Sequence, residues 1–237
     1  MNTKLYSAWY CPFAQRAWTA LINKNVDFKY VETDPYDKTE QWMKISLQTG
    51  QVPVLHIAED LIIVDSNRAV ELIDHQYPKN QPLFSPDASK RAEQKYWIDF
   101  VGKQIIPYFY RYLKNDLSTL LGQDSKRDML IGLEMFIQAM NDSGPFFSGE
   151  SIDAVDIVLM PFAYRINLLL KHYRDFTLPV EGVLWQRFHR WYSANLNSKE
   201  FVETASKYDD IEARLIEFYL PYSLGGGHQD VTAISVS

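Results

Sequence analysis

The hydrophobic periodicity of this chain changes near residue 78, and that change limits the possible folds more than any other feature. Between Lys4 and Tyr77, short apolar runs alternate with apolar positions spaced three and four residues apart, as strands and helices require. Beyond a segment that contains three prolines, the pattern is almost only helical. We therefore predict an α/β domain over residues 1–77, a linker over residues 78–88 and an all-α helical domain over residues 89–224.

The first domain begins with the pattern of a strand, a helix and a second strand. Residues 5–9 form an apolar run, and Val26, Phe28 and Tyr30 alternate with polar residues as in a half-buried strand. Pro12 suits the first turn of the intervening helix, where its missing N–H would have no intrahelical partner. A β-α-β unit favours parallel strands joined by a right-handed crossover.

The remainder of this domain has the pattern of a short helix, a hairpin and a last helix. The predicted elements are a helix near residues 39–46, a hairpin of strands 52–57 and 61–64 around Glu59 and Asp60, and a helix over residues 66–77. The order βαβ followed by ββα is typical of a thioredoxin-like sheet. We therefore predict an N-terminal thioredoxin-like domain.

The second half of the chain has the pattern of a helical bundle. Five side chains are predicted on one face of a single helix: Trp97, Phe100, Val101, Gln104 and Tyr108. Further helices are predicted over residues 129–140 and 157–170. Asp153 and Asp156 have the spacing of a capping box with carboxylates at both positions, and Pro161 is expected to kink the helix that they begin.

Composition and charge exclude several classes of protein. A formal net charge of −6 without a strongly basic run opposes binding to nucleic acid or anionic lipid. No apolar run approaches the roughly 18 residues that span a bilayer, and residues 1–10 lack an apolar stretch of signal-peptide length, so we expect a cytoplasmic protein without membrane contact. The histidines show no metal-binding spacing, and we predict no metal site. The glycine-rich end, residues 225–237, is predicted to be a flexible tail.

Cys11 is the only cysteine of the chain, and it lies between the first predicted strand and the helix that Pro12 begins. The N–H groups and the dipole of a helix N-terminus favour a thiolate, so we expect a pKa below the value of about 8.5 of a free thiol. Cysteine at such a place is otherwise a small buried side chain. Ala14 stands where a Cys-x-x-Cys motif would have its second cysteine, so Cys11 would have to borrow a partner thiol from a small molecule.

Residues 11–16, Cys-Pro-Phe-Ala-Gln-Arg, resemble the active-site motif of the cysteine-type, omega-like glutathione transferases. Residues 52–55 resemble the Val-Pro segment in which that family has a cis-proline. Asp65 and Ser66 stand where the family usually has Glu-Ser, and the capping box and proline of the helical half also resemble the family. The resemblance covers about residues 3–220 and implies the glutathione transferase fold.

This resemblance implies which residues meet glutathione. The glutathione-binding residues that it implies are Phe13, Lys38, Val52, Pro53, Asp65 and Ser66. The backbone of Val52, before cis-Pro53, would pair with the cysteinyl part of glutathione like an added strand. Ser66 at a helix N-terminus would take the γ-glutamyl carboxylate and Asp65 the ammonium group, while Lys38 would meet the glycyl carboxylate.

Several of these residues also have structural interpretations. Asp65 and Ser66 would cap their helix without any ligand, and Arg16 can be an ion-pair residue. Tyr108 and Tyr112 are candidates for an apolar co-substrate pocket between the domains, although aromatic residues on a helix more often belong to a core.

We expect a glutathione-dependent thiol transferase or reductase in which Cys11 forms mixed disulfides. The resemblance implies deglutathionylation or dehydroascorbate reduction, a small or glutathionylated second substrate, and a homodimer. A second hypothesis is a protein that works by binding, such as a stress regulator or an intracellular chloride-channel-like protein, with Cys11 as a sensor. Conjugation of glutathione to electrophiles is a third, in which Tyr6, Ser7 or Tyr10 would supply a hydroxyl group.

Overall fold

A computed structural model describes residues 3–58, 61–78, 80–205 and 207–227 of the chain. Its elements in chain order are β1 (Thr3–Ser7), α1 (Pro12–Asn23), β2 (Phe28–Glu32), α2 (Glu40–Ile45), β3 (Val54–Ile57), β4 (Leu61–Ile63), α3 (Ser66–Gln76), α4 (Ala88–Phe100), a π-helical segment (Val101–Ile105), α5 (Ile106–Lys114), α6 (Leu120–Gln138), α7 (Ala154–Arg174), α8 (Val183–Leu196), α9 (Lys199–Ala205) and α10 (Ile211–Ser223). The predicted hairpin turn at Glu59 and Asp60 lies outside the described residues. So does the predicted flexible tail beyond Gly227.

The four strands form one mixed sheet in the order β2-β1-β3-β4. Strands β1 and β2 are parallel, with Leu5 opposite Tyr30, whereas β3 is antiparallel to both β1 and β4. The predicted β-α-β unit, hairpin and thioredoxin-like sheet are therefore confirmed. Strand β1 ends earlier than predicted because Ala8 to Tyr10 leave the sheet and turn, with the Cys11 amide donating to the Ala8 carbonyl at 2.9 Å.

A buried ion pair in the α/β unit holds the segment between α3 and α4. Lys24 at the end of α1 lies 2.6 Å from Asp74 of α3. Asp74 also accepts from the amides of Leu83 and Phe84 at 2.8 and 3.0 Å, and Lys24 donates to the Gln81 carbonyl at 2.8 Å. One polar cluster thus fixes the connection to the helices that follow.

Buried apolar side chains form one continuous cluster across both halves of the chain. The cluster runs from Leu5 and Leu21 of the α/β unit to Trp191 and Leu215 of the helical bundle. A smaller cluster around Trp42 lies between α2 and the sheet. The predicted division into domains at residues 77 and 88 stays a prediction, since the core itself has no break there.

The predicted capping box at the start of α7 is confirmed. The Asp153 carboxylate accepts from the amides of Val155 and Asp156 at 2.7 and 3.2 Å, and Asp156 accepts from the Asp153 amide at 2.9 Å. Asp156 is fully buried and also accepts from the indole of Trp191 at 2.6 Å and from the amide of Phe147 at 2.8 Å. This network joins α7 to α8 and to the loop before α7.

The sequence predicted one helix face that carries Trp97, Phe100, Val101, Gln104 and Tyr108. This prediction is wrong beyond Val101. The helix continues as a π-helical segment to Ile105, which shifts the side chains that follow by about one residue relative to an α-helix. Gln104 is therefore exposed, and Ile105, Ile106 and Phe109 are buried instead. Within the described ranges, no helix is both long enough and apolar enough to cross a bilayer.

Candidate active site

Cys11 is the N-cap residue of α1. Its backbone is extended (φ −82°, ψ 114°), Pro12 follows in the first turn, and its sulfur accepts a hydrogen bond from the Ala14 amide at 3.5 Å. The side chain is half-buried. The sequence places it there because an N-cap residue needs a short side chain that can accept a hydrogen bond from the first turn.

The segment directly before strand β3 approaches the sulfur of Cys11. The Val52–Pro53 bond is cis, and the Cys11 sulfur lies 4.0 Å from the Val52 carbonyl oxygen, to which a thiol can donate. Among the described residues, no group accepts from the Val52 amide. An extended peptide can therefore pair with Val52 next to Cys11.

The N-terminus of α3 forms another side of the site. Asp65 is its N-cap residue, accepting from the Arg68 amide at 2.9 Å and pairing with the Arg68 guanidinium at 3.4 Å. Ser66 is buried in the first turn, with its hydroxyl group accepting from Arg16 at 3.2 Å. Asp65 thus does cap its helix, as its structural interpretation proposed, and the amide end of α3 favours an anion there.

Arg16 connects these parts of the site. Its guanidinium is buried between the rings of Phe13 and Phe162, at 5.0 and 4.9 Å from their centroids. It donates to Ser66, to the Asn67 side chain at 3.1 Å and to the Val158 carbonyl at 3.0 Å. Burial lowers the pKa of Arg16 to about 9, with Asp65 acting in the opposite direction. In the described parts of the chain no carboxylate lies within 4 Å of Arg16, so its interpretation as an ion-pair residue is wrong.

These elements enclose a cavity of about 520 Å³. It is lined by Cys11, Phe13, Arg16, Pro35, Tyr36, Gly50, Gln51, Val52, Pro53, Val64, Asp65, Ser66, Asn67, Ile98, Asp99, Gly102 and Lys103. The structure therefore brings together Cys11 and five of the six residues predicted to meet glutathione. The sixth, Lys38, is absent from the lining, but its ammonium group donates to the Gly50 carbonyl at 2.6 Å and so lies beside the rim.

The residues predicted to form a co-substrate pocket lie elsewhere. Tyr112 is fully buried in the helical core, where its ring packs edge-to-face against Phe176. Tyr108 is half-buried beneath the guanidinium of Arg111 and does not line the cavity. The prediction is wrong for Tyr112, because a side chain without exposed surface cannot contact a substrate. Gly102 and Lys103 of the π-helical segment line the cavity instead.

Aromatic side chains pack beside Cys11, between the α/β unit and α10. Tyr10 stacks on Phe218 with 3.9 Å between ring centroids and on Tyr36 at 6.5 Å. Of the hydroxyl groups considered for conjugation, Ser7 is fully buried, and Tyr6 packs against the rings of Trp42 and His56. Neither these two nor Tyr10 lines the cavity, so the conjugating mechanism lacks its predicted donor there.

The predicted low pKa of Cys11 is wrong in direction. Burial raises the pKa of the thiol, and this effect outweighs four groups that lower it: the amides of Ala14 and Phe13 and the guanidinium groups of Arg165 and Arg16. The motif identified the stabilising amides but carried no information on how far the sulfur is removed from water.

In the described ranges, no three His, Cys, Asp or Glu side chains cluster in a way that could hold a metal ion.

Sequence reasoning missed several residues of this site. Asn67 directly follows the matched Asp65 and Ser66, so proximity in sequence was an available signal. Asp99 of α4 and Gly102 and Lys103 come from the far half of the chain. The position of Gly102 and Lys103 depends on the π-helical segment, for which the sequence shows no pattern.

Comparison with known proteins agrees with this geometry. Residues 5–81 match the family model of the glutathione S-transferase N-terminal domain. Over 204 residues, the chain is 30% identical to the chloroplastic glutathione S-transferase DHAR3 of Arabidopsis thaliana, in an alignment that covers 86% of this chain and 72% of that protein. The chain belongs to the glutathione S-transferase family. The family predicted from its motifs is confirmed.

Solved structures place this transferase near the omega class. Glutathione transferase Omega 3C from Trametes versicolor is 27% identical, with a TM-score of 0.78 over 92% of this chain and 91% of that one. Rice GST1 (OsGSTU1), solved in complex with glutathione, has a TM-score of 0.77 at 22% identity, over 92% and 96% of the two chains, and supports the fold alone. With Cys11 at the start of α1, the protein is a cysteine-type, omega-like glutathione transferase, and glutathione is its co-substrate.

Proposed function

We propose that this enzyme is a glutathione-dependent thiol transferase that works through a mixed disulfide at Cys11. One observation carries the proposal: the sulfur of Cys11 lies at the N-terminus of α1, at a cavity whose adjoining backbone at Val52 is free to pair with a peptide. A tripeptide bound along that edge has its own sulfur next to Cys11.

The cycle has two exchange steps. The Cys11 thiolate attacks the glutathione sulfur of a glutathionylated substrate, the Cys11–glutathione disulfide forms, and the substrate sulfur leaves with the electron pair and takes a proton. The thiolate of a second glutathione then attacks the glutathionyl sulfur on Cys11. Oxidised glutathione leaves, and the Cys11 thiolate is restored. The substrate mixed disulfide is thereby reduced to a thiol, and the one free glutathione consumed leaves with the substrate's glutathionyl group as oxidised glutathione.

The lining residues can be assigned to parts of glutathione. Val52 pairs through its backbone with the cysteinyl residue, next to Pro53. Ser66, at the amide end of α3 and bonded to Arg16, takes the γ-glutamyl carboxylate, and Asp65 takes the ammonium group. Phe13 forms part of the wall, and Lys38 at the rim is close enough to Gly50 to meet the glycyl carboxylate.

Dehydroascorbate is the small second substrate that we propose. The chain is 30% identical to the relative named glutathione S-transferase DHAR3 and covers most of its length, and the motif at Cys11 resembles that of enzymes whose activities include dehydroascorbate reduction. Two glutathione molecules supply the two electrons and two protons that convert dehydroascorbate to ascorbate, and they leave as oxidised glutathione. Ile98, Asp99 and Gly102 line the same cavity as Cys11, and we assign to them the side that receives this molecule.

We also propose a homodimer in the cytoplasm. Leu61 on the edge strand β4 and Tyr96 on α4 are exposed and available for contact with a second copy. A single free cysteine suits a compartment that keeps glutathione reduced. Light scattering on the purified protein tests the dimer, and a monomer at micromolar concentration would contradict it.

The Cys11→Ser variant tests the function. We expect thiol transfer from a glutathionylated peptide to fall by at least about 100-fold, because a hydroxyl group cannot form the mixed disulfide. After incubation with oxidised glutathione, the intact mass should show one added glutathione on the wild-type protein and none on the variant. Unchanged turnover in the variant would refute the proposed cycle.

A further inference from the structure

We propose that Arg165 of α7 is a positioning residue for Cys11: it holds the backbone that carries the cysteine and supplies the buried positive charge that stabilises the thiolate. The inference rests on the proposed function in that it assumes Cys11 reacts as a thiolate. Arg165 thereby gives α7, in the helical half of the molecule, a part in the chemistry at Cys11.

Three hydrogen bonds tie Arg165 to the cysteine loop and to its own helix. Its guanidinium donates to the Tyr10 carbonyl at 2.9 Å, to the Gln15 side chain at 2.9 Å and to the Pro161 carbonyl at 2.8 Å. Tyr10 directly precedes Cys11 and Gln15 lies one turn after it, so the guanidinium connects the chain on both sides of the cysteine. Gln15 is held from its other end by the Thr204 hydroxyl of α9 at 3.1 Å.

The charge of Arg165 has no partner in the parts of the chain that the structure describes. The side chain is only 1% exposed, its three acceptors are neutral, and no carboxylate lies within 4 Å of it. Its Nε is buried without a hydrogen-bond partner. Neutral acceptors satisfy the hydrogen bonds of a guanidinium but not its charge, and burying an unpaired charge is costly. An anion near Tyr10 would offset that cost, and the side chain next in sequence is Cys11.

The other titratable groups that face Cys11 do not supply this anion. They are Arg16 of α1, Tyr10 before α1, Tyr36 of the loop after β2, Tyr110 of α5 and Tyr219 of α10. Burial raises the pKa of all four tyrosines, that of Tyr219 to about 12, so the phenols are neutral at pH 7. Asp65 acts on Arg16 from the far side of the site. Asp99 and Lys103 line the same cavity as Cys11, and Asp34 and Glu32 act on the Tyr10 side chain. Cys11 is the acid that directly follows the carbonyl held by Arg165, and its ionisation can balance that charge.

Arg165 also opposes the main obstacle to that ionisation. Burial raises the pKa of Cys11, and among side chains the guanidinium of Arg165 lowers it most, ahead of Arg16. Arg165 is buried and Cys11 half-buried, so their attraction is screened less than that of two charges at the surface.

The test is the pH dependence of Cys11 alkylation by iodoacetamide, followed by intact mass, for the wild type and for Arg165→Gln and Arg165→Lys. We expect Arg165→Gln to raise the apparent pKa by about one unit, which slows alkylation at pH 7 about tenfold. Arg165→Lys keeps the charge and should restore most of the shift. An Arg165→Gln variant with the wild-type pKa would overturn the proposal, whatever its stability.

Arg174→Gln is the matched control. Arg174 ends the same helix and donates to the carbonyls of Tyr112, Leu113 and Ser223, away from Cys11. Its loss should lower stability without changing the alkylation profile. An equal pKa shift in this control would show that a general loosening of the helical half, and not the charge of Arg165, sets the thiol pKa.

A second variant keeps the inference testable should Arg165→Gln fail to fold. Gln15→Glu has the same shape and places a carboxylate within 2.9 Å of Arg165. We expect the apparent pKa of Cys11 to rise, because the buried cation gains another anion as its partner. An unchanged pKa in Gln15→Glu would overturn the proposal; stability is not the readout, since the variant also loses the amide that donates to Thr204. Alkylation does not depend on turnover, so failure here is distinguishable from failure of the Cys11→Ser test.

Discussion

Cys11 is subject to opposing effects that act over a few ångströms. Removal from water disfavours its charge, while the first-turn amides of α1 and two buried guanidinium groups favour it. In the free protein the first effect is larger, and the Val52 carbonyl lies where a neutral thiol can donate to it. The enzyme thus holds a thiol that ionises with difficulty until its surroundings change.

The alkylation rate of wild-type Cys11 should show this balance directly. Only the thiolate reacts, so the rate follows the ionised fraction, rises with pH and levels off above the pKa. Because burial raises the pKa of Cys11, we expect the rate to be still rising at pH 8.5, where free cysteine is half ionised. Iodoacetamide kinetics from pH 5 to 10 measure it, with free glutathione as the reference. A plateau below pH 7 would contradict the structure.

Ser66→Ala should weaken glutathione binding. The variant removes the hydroxyl group that accepts from Arg16 and that we assign to the γ-glutamyl carboxylate. A hydrogen bond to a charged group contributes about 1.5 kcal/mol, so KM for glutathione should rise about tenfold with little change in kcat. Steady-state kinetics measure both. Ser118→Ala, which alters an exposed hydroxyl group bonded to Asp116, is the control and should leave KM unchanged.

The sequence identified the residues that meet at Cys11 better than it identified their ionisation. Cys11, Val52 and Ser66 occupy positions that backbone geometry requires, namely a helix N-cap, the residue before a cis-proline and the first turn of a helix. Such requirements are local and visible in a motif. Depth of burial depends on the helices that pack over the loop, so the pKa of Cys11 and the full burial of Tyr112 could not be predicted.

Among the helices, α7 depends on polar contacts at its first turn. Asp156 is fully buried and accepts from the Trp191 indole, the Phe147 amide and the Asp153 amide. A buried donor that loses its acceptor costs about 1 to 3 kcal/mol. The capping box therefore holds α8 and the preceding loop as well as its own helix.

Asp156→Ala should be severely destabilising. It leaves three buried donors without an acceptor, and we expect the free energy of unfolding at pH 7 to fall by at least about 3 kcal/mol. Urea denaturation followed by circular dichroism measures it. Asp87→Ala removes an exposed N-cap, bonded to the Lys90 amide at 2.9 Å, and should cost only about 1 kcal/mol. Equal losses in the two variants would show that the buried network adds nothing to simple capping.

At this scale the sequence predicted where elements begin better than which way they face. Asp153 and Pro12 mark helix starts through the chemistry of the first turn. The π-helical segment Val101–Ile105 has no such marker, because one extra residue in a turn leaves the hydrophobic composition unchanged. A single inserted position therefore moved Gln104 from the predicted core to solvent.

The two halves of the molecule share one core and one polar clamp. The clamp consists of Lys24, Asp74 and the backbone of residues 81–84, and it lies where the chain passes from α3 to α4. The proline-containing connection was predictable from the sequence. The clamp was not, because Lys24 and Asp74 lie 50 residues apart in separate helices and neither belongs to a motif.

Lys24→Met should destabilise the whole protein. Its ammonium group is fully buried against Asp74, and the variant leaves that carboxylate without its cation, a loss of about 3 to 5 kcal/mol. Because the core is continuous, fluorescence and circular dichroism should report one shared unfolding transition at lower urea concentration. Lys95→Met, which breaks the exposed pair with Glu71, should cost less than about 1 kcal/mol. Separate transitions for the two probes would contradict a shared core.

The clamp has a consequence for how substrates reach the sulfur. A connection tied to both α1 and α3 is a poor hinge, so we expect the two walls of the cavity to keep a nearly constant separation during turnover. Entry and exit then depend on the small movements of side chains at the mouth, and the width of that mouth limits which disulfides the enzyme can repair. Extended, exposed cysteine adducts would be accepted, and those recessed in a folded protein would be refused.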